Sequence, residues 1–138
     1  MTRLCVDTSA WHHATDSRVA AVWRRHLESD ELAICGQVRL EILFSAQSAK
    51  DYDALAHELS GLRTIPTDAS TFERALEVQQ LLAHVGGLHH RSVKIADLII
   101  AAAAEAAETT ILHYDSDYDR IAELTSQPVQ WIALPGSL

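Results

Sequence analysis

Five short apolar segments, separated by stretches with helical periodicity, constrain the fold more than any other feature of this sequence. The segments are rich in valine, isoleucine, threonine and leucine, and they lie at residues 3–6, 32–35, 63–65, 109–113 and 129–132. Strands that alternate with helices at this spacing are typical of a parallel sheet flanked by helices on both sides. The sequence therefore predicts an α/β fold, a three-layer α/β/α sandwich with a central parallel sheet.

Capping residues bound the helical stretches between those segments. Asp7 precedes a short helix, Gly61 ends another, and Asp68 and Gly86 bound a long one. Longer helices are predicted at residues 17–27, 38–46, 51–60, 69–85, 95–107 and 115–124, and a polar loop at residues 88–92. The 95–107 stretch is apolar or alanine on nearly every side, which indicates a helix buried against other elements.

The size and composition of the chain fit one domain that spans residues 1–138. Of the 138 residues, 48% are hydrophobic, which is enough to bury a core. No apolar run approaches the roughly 20 residues of a membrane-spanning helix, and a strand-like segment rather than a signal peptide follows Met1. Cys5 and Cys35 are too few for a disulfide scaffold. We therefore expect a soluble, cytoplasmic protein that enters no membrane.

The formal net charge of −8 argues against a generally basic protein that coats nucleic-acid phosphates. Part of the acidity fits solvated helix surface. A cluster of carboxylates that converged in the fold would instead repel itself unless cations lay among them. Composition does not separate these two interpretations, but the positions of the acids do.

Several acids lie where a parallel sheet places its ligands. Asp7 follows the first predicted strand, and Asp115 and Asp117 follow the fourth. Ligands bind outside the carboxyl ends of such strands, so these side chains are expected to share one site. Asp97 begins the buried helix, where an ionised carboxylate is costly without a compensating cation or helix N-terminus. Glu41 lies among apolar helix neighbours and is also expected to face the interior.

Phosphodiester hydrolysis gives such carboxylates a common task. One or two hard divalent cations bound by oxygens activate water and stabilise charge on the attacking and leaving oxygens. Taken singly, each acid also fits a helix cap or a solvated charge. Taken together, their placement favours a site for Mg²⁺ or Mn²⁺.

Four segments of the chain resemble the PIN-domain ribonucleases, in particular the VapC-type toxins. These segments are VDTSA at residues 6–10, RLEIL at 39–43, ADLIIAAA at 96–103 and HYDSDY at 113–118. The resemblance covers essentially the whole chain. It implies an endoribonuclease dependent on Mg²⁺ or Mn²⁺ that cuts RNA, is held inactive by a VapB-like antitoxin and forms a homodimer.

The resemblance also implies the site residues. The acidic catalytic positions map onto Asp7, Glu41, Asp97, Asp115 and, as a fifth, Asp117. Of these, Asp7, Asp97 and Asp115 are expected to hold the principal cation. The alternative fifth acid is Asp119, which follows the aromatic residue of the Asp-x-Asp-Tyr unit and is expected past the first turn, on the helix surface.

Four further residues are candidates for contacts with the substrate. Thr8 or Ser9 is expected to orient a water beside the first aspartate, although simple helix capping explains these hydroxyls equally well. Arg91 and Lys94 precede Asp97 and are expected to meet an RNA phosphate at the mouth of the site, although a role in surface solubility fits them as well.

Two other classes of function compete with a nuclease. A phosphatase or phosphotransfer domain also uses an aspartate after its first strand, but no second aspartate stands two residues after Asp7. A non-catalytic interaction module with the same fold would be expected to have lost one or more of the acids. Paired histidines without a Cys-x-x-Cys unit give little support to structural zinc.

Overall fold

The computed structural model describes residues 3–138 and contains a five-stranded, all-parallel sheet. The strands are β1 (Leu4–Val6), β2 (Leu32–Cys35), β3 (Arg63–Ile65), β4 (Thr110–His113) and β5 (Val129–Trp131). Their order in the sheet is β3-β2-β1-β4-β5, and every neighbouring pair is parallel. The five predicted strands and the parallel sheet are therefore confirmed.

The helices alternate with the strands as the sequence predicts. They are α1 (Thr8–His13), α2 (Ala20–Glu28), α3 (Gly36–Phe44), α4 (Ala49–Leu59), α5 (Ala69–Val85), α6 (Ile95–Ala106) and α7 (Asp117–Thr125). Right-handed crossovers place the helices that follow β1 and β2 on one face of this sheet and those that follow β3 and β4 on the other. The predicted three-layer sandwich is confirmed.

Two local predictions were wrong. The stretch 88–92, predicted as a loop, contains a 3₁₀ turn at His89–Arg91, with Leu88 in the left-handed region at φ 60°. The last helix begins at Asp117 rather than Asp115, because Asp115 Oδ1 accepts a hydrogen bond from the Asp117 N–H at 2.9 Å and forms a turn before the helix. The Asp115 side chain thus bonds to the backbone of the turn instead of lying inside the helix.

The centre of the sheet is also the centre of the core. Every residue of β1 and β2 is buried, and α6 contributes a run of buried alanines from Ala101 to Ala104 that lets it pack closely against its neighbours. Cys5 and Cys35 are buried free thiols on the adjacent strands β1 and β2. Within residues 3–138, no helix is long and apolar enough to cross a membrane.

The strand order reverses its direction between β1 and β4. From β1 the chain moves outward to β2 and β3, then returns to β4 on the other side of β1 and continues to β5. A reversal of this kind opens a crevice at the carboxyl ends of the two central strands, which is where ligands bind in open parallel sheets. The loops after β1 and β4 therefore border this crevice.

Candidate metal centre

A cavity of about 500 Å³ opens at the carboxyl ends of β1 and β4. It brings together residues from four separate parts of the chain: Asp7, Thr8, Ser9, Leu40, Glu41, Phe44, Lys94, Asp97 and Asp115. Asp117 borders the same acids from the start of α7. All five acids predicted from the sequence therefore lie at one edge of the sheet.

Asp7 is fixed by hydrogen bonds to both of its carboxylate oxygens. It is the N-cap of α1, and its Oδ2 accepts from the backbone N–H of Ser9 at 3.0 Å and from Ser9 Oγ at 2.5 Å. Its Oδ1 accepts from Tyr118 Oη at 2.5 Å. Ser9 Oγ in turn accepts from the Tyr114 N–H at 2.9 Å, which ties α1 to the end of β4.

Asp97 is a buried carboxylate in the first turn of α6, with 3% of its surface exposed. Its Oδ1 accepts from Tyr118 Oη at 3.2 Å. Its Oδ2 lies 3.3 Å from Lys94 Nζ but has no hydrogen-bond partner among the described residues. Burial, together with the neighbouring charge of Asp7, raises the pKa of Asp97 to about 8.

Tyr118 connects these two aspartates and was not singled out from the sequence. Its side chain is fully buried, and its hydroxyl reaches both Asp7 and Asp97. Burial and the charges of the two aspartates raise the pKa of Tyr118, so the phenol stays protonated and donates. The signal in the sequence was weak: a buried tyrosine hydroxyl needs a partner, but nothing local says which.

Lys94 places its ammonium group among three carboxylates. Lys94 Nζ lies 2.6 Å from Asp115 Oδ2, 3.1 Å from Asp117 Oδ2 and 3.3 Å from Asp97 Oδ2. Its backbone N–H also donates to Asp117 Oδ2 at 3.1 Å. Burial alone would lower the pKa of Lys94, but the hydrogen bonds to Asp115 and Asp117 raise it above its ordinary value.

The carboxylates of Asp97, Asp115 and Asp117 form the tightest acidic group of the described residues. Each offers one oxygen, and these three oxygens all lie within 4.8 Å of one another. Asp7 is not in this group, although the sequence predicted it as a direct ligand and Asp117 only as an accessory acid. Both oxygens of Asp7 instead accept hydrogen bonds, from Ser9 and from Tyr118.

Arg120 supplies a second positive charge that sequence analysis missed. Its Nη1 lies 3.1 Å from Asp117 Oδ1 and 3.2 Å from the carbonyl oxygen of Ser92. Burial would raise the pKa of Asp117, but the hydrogen bonds from the backbone N–H and the ammonium of Lys94 lower it. The i,i+3 spacing of Asp117 and Arg120 in α7 was the available signal.

Glu41 lines the cavity from α3. Its Oε1 accepts from Thr8 Oγ1 at 2.5 Å, and its Oε2 lies 3.4 Å from Gln37 Nε2, one helical turn earlier. The hydroxyl of Thr8 therefore joins α1 to α3 across the cavity rather than capping its own helix. Leu40 and Phe44, on the same helix, add an apolar wall that is largely exposed to solvent.

Two of the remaining candidates lie outside the acidic group. Asp119 is in the first turn of α7, not past it as predicted, and its carboxylate accepts from Trp131 Nε1 at 3.2 and 3.3 Å. That indole, rather than distance along the helix, directs Asp119 away from the cavity. Arg91 is exposed in the 3₁₀ turn and has no side-chain hydrogen bond or ion pair within residues 3–138.

The chain is similar in sequence to proteins of a known family. Residues 4–124 match the PIN domain family, a range that includes every acid of the centre. The chain is 62% identical over 134 residues to Ribonuclease VapC18 of Mycobacterium tuberculosis, covering 97% of this chain and 98% of that protein. It is 40% identical over 137 residues to Ribonuclease VapC21 of the same species, covering 99% and 98%.

Solved structures share the fold at low sequence identity. DNA-bound VapBC from Salmonella typhimurium matches with a TM-score of 0.78 at 16% identity, covering 96% of this chain and 100% of that chain. VapBC2 from Rickettsia felis, bound to a promoter DNA fragment, matches with a TM-score of 0.75 at 18% identity, covering 94% and 98%. These likenesses show that the fold is shared over nearly the whole chain.

Proposed function

The chain belongs to the PIN-domain family and, within it, to the VapC ribonucleases, and from this premise we propose that it hydrolyses RNA with Mg²⁺ or Mn²⁺ as cofactor. The observation that carries the proposal is the convergence of Asp97, Asp115 and Asp117 at the end of the sheet, with three oxygens within 4.8 Å of one another. Hard divalent cations prefer oxygen ligands of this kind.

A second property of these carboxylates also fits a divalent cation. Asp97 Oδ2 is buried and has no hydrogen-bond partner among the described residues, which leaves a ligand oxygen available. We propose that Asp97, Asp115 and Asp117 hold the cation, with Asp7 beside them. When bound, the ion would lower the pKa of a water molecule and offset the charge that develops on the phosphodiester.

The other residues of the cavity serve to position these groups. The Tyr118 hydroxyl donates to Asp7 at 2.5 Å and lies 3.2 Å from Asp97, so it joins the two aspartates at a fixed separation. Thr8 donates to Glu41, which leaves that carboxylate facing the cavity as a proton acceptor for the attacking water. Ser9 holds Asp7 in its N-cap geometry. In this scheme cleavage proceeds by direct attack of water, without a covalent intermediate.

The path of the RNA is expected to follow the open side of the cavity. Arg91 is exposed in the turn before α6 and is free to contact a phosphate, while Lys94 lies at the border between solvent and the acids. On the opposite wall, Leu40 and Phe44 offer apolar surface, and Phe44 is 91% exposed. An exposed aromatic ring of this kind is suited to base stacking or to a protein partner.

Cleavage of purified RNA by the purified chain tests this function. We expect cleavage with Mg²⁺ or Mn²⁺, loss of cleavage in EDTA, and recovery when either ion is restored in excess. Sequencing of the new 5′ ends then identifies the cleaved bond. Cleavage that persists in EDTA would refute the role of the metal, and failure to cleave cellular RNA with either ion would refute the nuclease assignment.

We further propose that the protein is a cytoplasmic toxin, forms a homodimer, and is inhibited by a VapB-like antitoxin whose segment occupies the cavity. The acids attract an arginine or lysine, and the exposed Leu40 and Phe44 offer apolar anchorage beside them. Added Mg²⁺ or Mn²⁺ should then relieve inhibition in the purified complex, and Phe44→Ser should weaken the complex while retaining the dimer. Inhibition that is insensitive both to metal and to Phe44→Ser would place the antitoxin elsewhere.

A further inference from the structure

Lys94 is one of only two lysines in the chain, and the other is Lys50 in α4. The two have different environments. Lys50 is exposed and has no ion pair within the described part of the chain, whereas the ammonium of Lys94 lies within 3.3 Å of three separate carboxylates. A single positive charge therefore contacts every carboxylate of the acidic group that the proposed function assigns to a metal ion.

The Lys94 ammonium lies among the oxygens of the tight acidic group itself. Its three contacts are oxygens of Asp97, Asp115 and Asp117, the residues that form the tight acidic group. One set of oxygens cannot contact an ammonium and a divalent cation at close range at the same time, since the two cations repel strongly at such distances. The Lys94 side chain is 62% exposed, so it has room to leave the group without rearrangement of the core.

We propose that Lys94 is a built-in competitor for the metal: its ammonium occupies the Asp97, Asp115 and Asp117 group in the metal-free protein and must be displaced when a divalent cation binds. This inference rests on the proposed function and adds to it a self-inhibiting contact that sets the metal concentration at which the site loads. Once displaced, the ammonium remains at the mouth of the cavity, where it meets the phosphate backbone of RNA.

The competition predicts a gain of metal affinity when the ammonium is removed. Lys94→Met should lower the dissociation constant for Mn²⁺ by about tenfold, the change expected if the ammonium occupies the group about nine-tenths of the time. Free Mn²⁺ measured by electron paramagnetic resonance gives this constant without any need for activity. Arg120→Met is the matched control, because it removes an equal charge that contacts Asp117 alone among the acids.

A second measurement uses the chain without any substitution. An amine-reactive reagent, quantified by mass spectrometry, should label Lys94 slowly relative to Lys50 in EDTA, because an ion-paired ammonium is a poor nucleophile. Saturating Mg²⁺ should raise the labelling of Lys94 severalfold while leaving Lys50 unchanged. Because Lys50 is the only other lysine, it serves as an internal reference in the same sample.

The outcomes separate this inference from the proposed function. If the wild-type chain binds Mn²⁺ but Lys94→Met binds it no more tightly, or no more tightly than Arg120→Met, the competition is refuted and the nuclease proposal stands. Unchanged labelling of Lys94 at saturating Mg²⁺ also refutes it. If only Lys94→Met binds Mn²⁺, the competition is supported; if neither chain binds, the metal centre itself fails.

Discussion

Two sets of carboxylates meet at the carboxyl end of the sheet, and donors of different kinds hold them. Asp7 and Glu41, the hydroxyl-bonded set, accept hydrogen bonds from the hydroxyl groups of serine, threonine and tyrosine residues. Asp115 and Asp117, the cation-bonded set, are paired with a lysine and an arginine. Asp97 contacts both kinds of donor.

The difference between neutral and charged donors indicates that the two sets have different roles in the site. A hydroxyl group is a neutral donor, and its hydrogen bond is directional. It therefore fixes the orientation of a carboxylate but adds no positive charge that a metal ion could replace. An ammonium or guanidinium held by charge at a partly exposed position can be replaced by an ion of higher charge. We therefore expect the cation-bonded set to govern metal affinity and the hydroxyl-bonded set to govern geometry.

The largest effect is expected at Asp97, which both sets share. Asp97→Asn should lower the rate of RNA cleavage by about a thousandfold, because it removes a ligand charge at the centre of the site. In EDTA the variant should be at least as stable as the wild type, since burial and Asp7 already disfavour a charged Asp97. Cleavage rates with each ion and urea denaturation in EDTA measure the two effects.

Asp119→Asn is the matched control for that variant. It makes the same chemical change in α7, at a carboxylate bonded to the Trp131 indole rather than to the acidic group. It should cleave RNA near the wild-type rate. Near-wild-type cleavage by Asp97→Asn, or a larger loss for Asp119→Asn, would reverse the assignment of these two residues.

A second prediction compares the two sets directly. Asp117→Asn should weaken Mn²⁺ binding by about tenfold or more, whereas Asp7→Asn should reduce cleavage by about a hundredfold with a smaller change in Mn²⁺ affinity. The measurements are a metal titration and a cleavage rate at saturating metal. Equal losses of affinity in both variants would make Asp7 a direct ligand, as the sequence predicted, and would remove the distinction between the sets.

A third prediction concerns the hydroxyl that joins Asp7 to Asp97. Tyr118→Phe keeps the buried ring but removes the hydroxyl, so Asp7 and Asp97 lose the hydrogen-bonding partner that they share. The metal-free protein should lose about 1–2 kcal/mol of unfolding free energy, and saturating Mn²⁺ should restore part of it. Urea denaturation with and without Mn²⁺ measures both quantities.

Tyr114→Phe supplies the control for Tyr118→Phe. The Tyr114 hydroxyl accepts from the backbone N–H of Leu138 at 2.9 Å and contacts none of the acids. Its removal should change stability little and should not make stability more dependent on Mn²⁺. A metal-dependent loss of the same size in both variants would show that the Tyr118 hydroxyl has no special role.

The smallest effect is expected at Thr8, where one hydroxyl orients one carboxylate. Thr8→Val should lower the rate of cleavage at saturating metal by about threefold to tenfold, because Glu41 loses the donor that fixes it. Thr8→Ser retains the hydroxyl and should preserve the rate. If valine and serine behave alike, the Thr8–Glu41 hydrogen bond makes no contribution to cleavage.

Sequence and structure agree best where the deciding interactions are local or periodic. Helix caps such as Asp68, which forms a reciprocal capping box with Thr71, depend on residues within one turn of each other. The structure brings Asp117 rather than Asp119 beside Asp97, but not for the reason that the sequence suggested. Both acids lie in the first turn of α7, and the Trp131 indole on β5 draws Asp119 away.

Sequence reasoning did not identify side-chain partners that are distant along the chain. Lys94 was expected to meet an RNA phosphate, and the structure adds that its ammonium contacts acids from α6, the β4–α7 turn and α7. Tyr118 was treated as part of a motif, although its hydroxyl reaches an aspartate 111 positions earlier in the chain. The orientations of these two side chains do not follow from secondary-structure propensity. Each depends on a side-chain rotamer that is fixed by contacts in the folded site.

The sequence by itself determined the alternation of strands and helices, and with it the parallel sheet whose carboxyl ends gather Asp7 and Asp115. Periodicity and capping encode these features within a few residues, so they can be read without tertiary contacts. Only the tertiary structure decided that Asp7 is held by hydroxyls while Asp115 is held by an ammonium. Tyr118 reaches Asp7 from 111 positions away in the chain and Lys94 reaches Asp115 from 21, and the energy of such contacts depends on distance and burial in space, which no local pattern records.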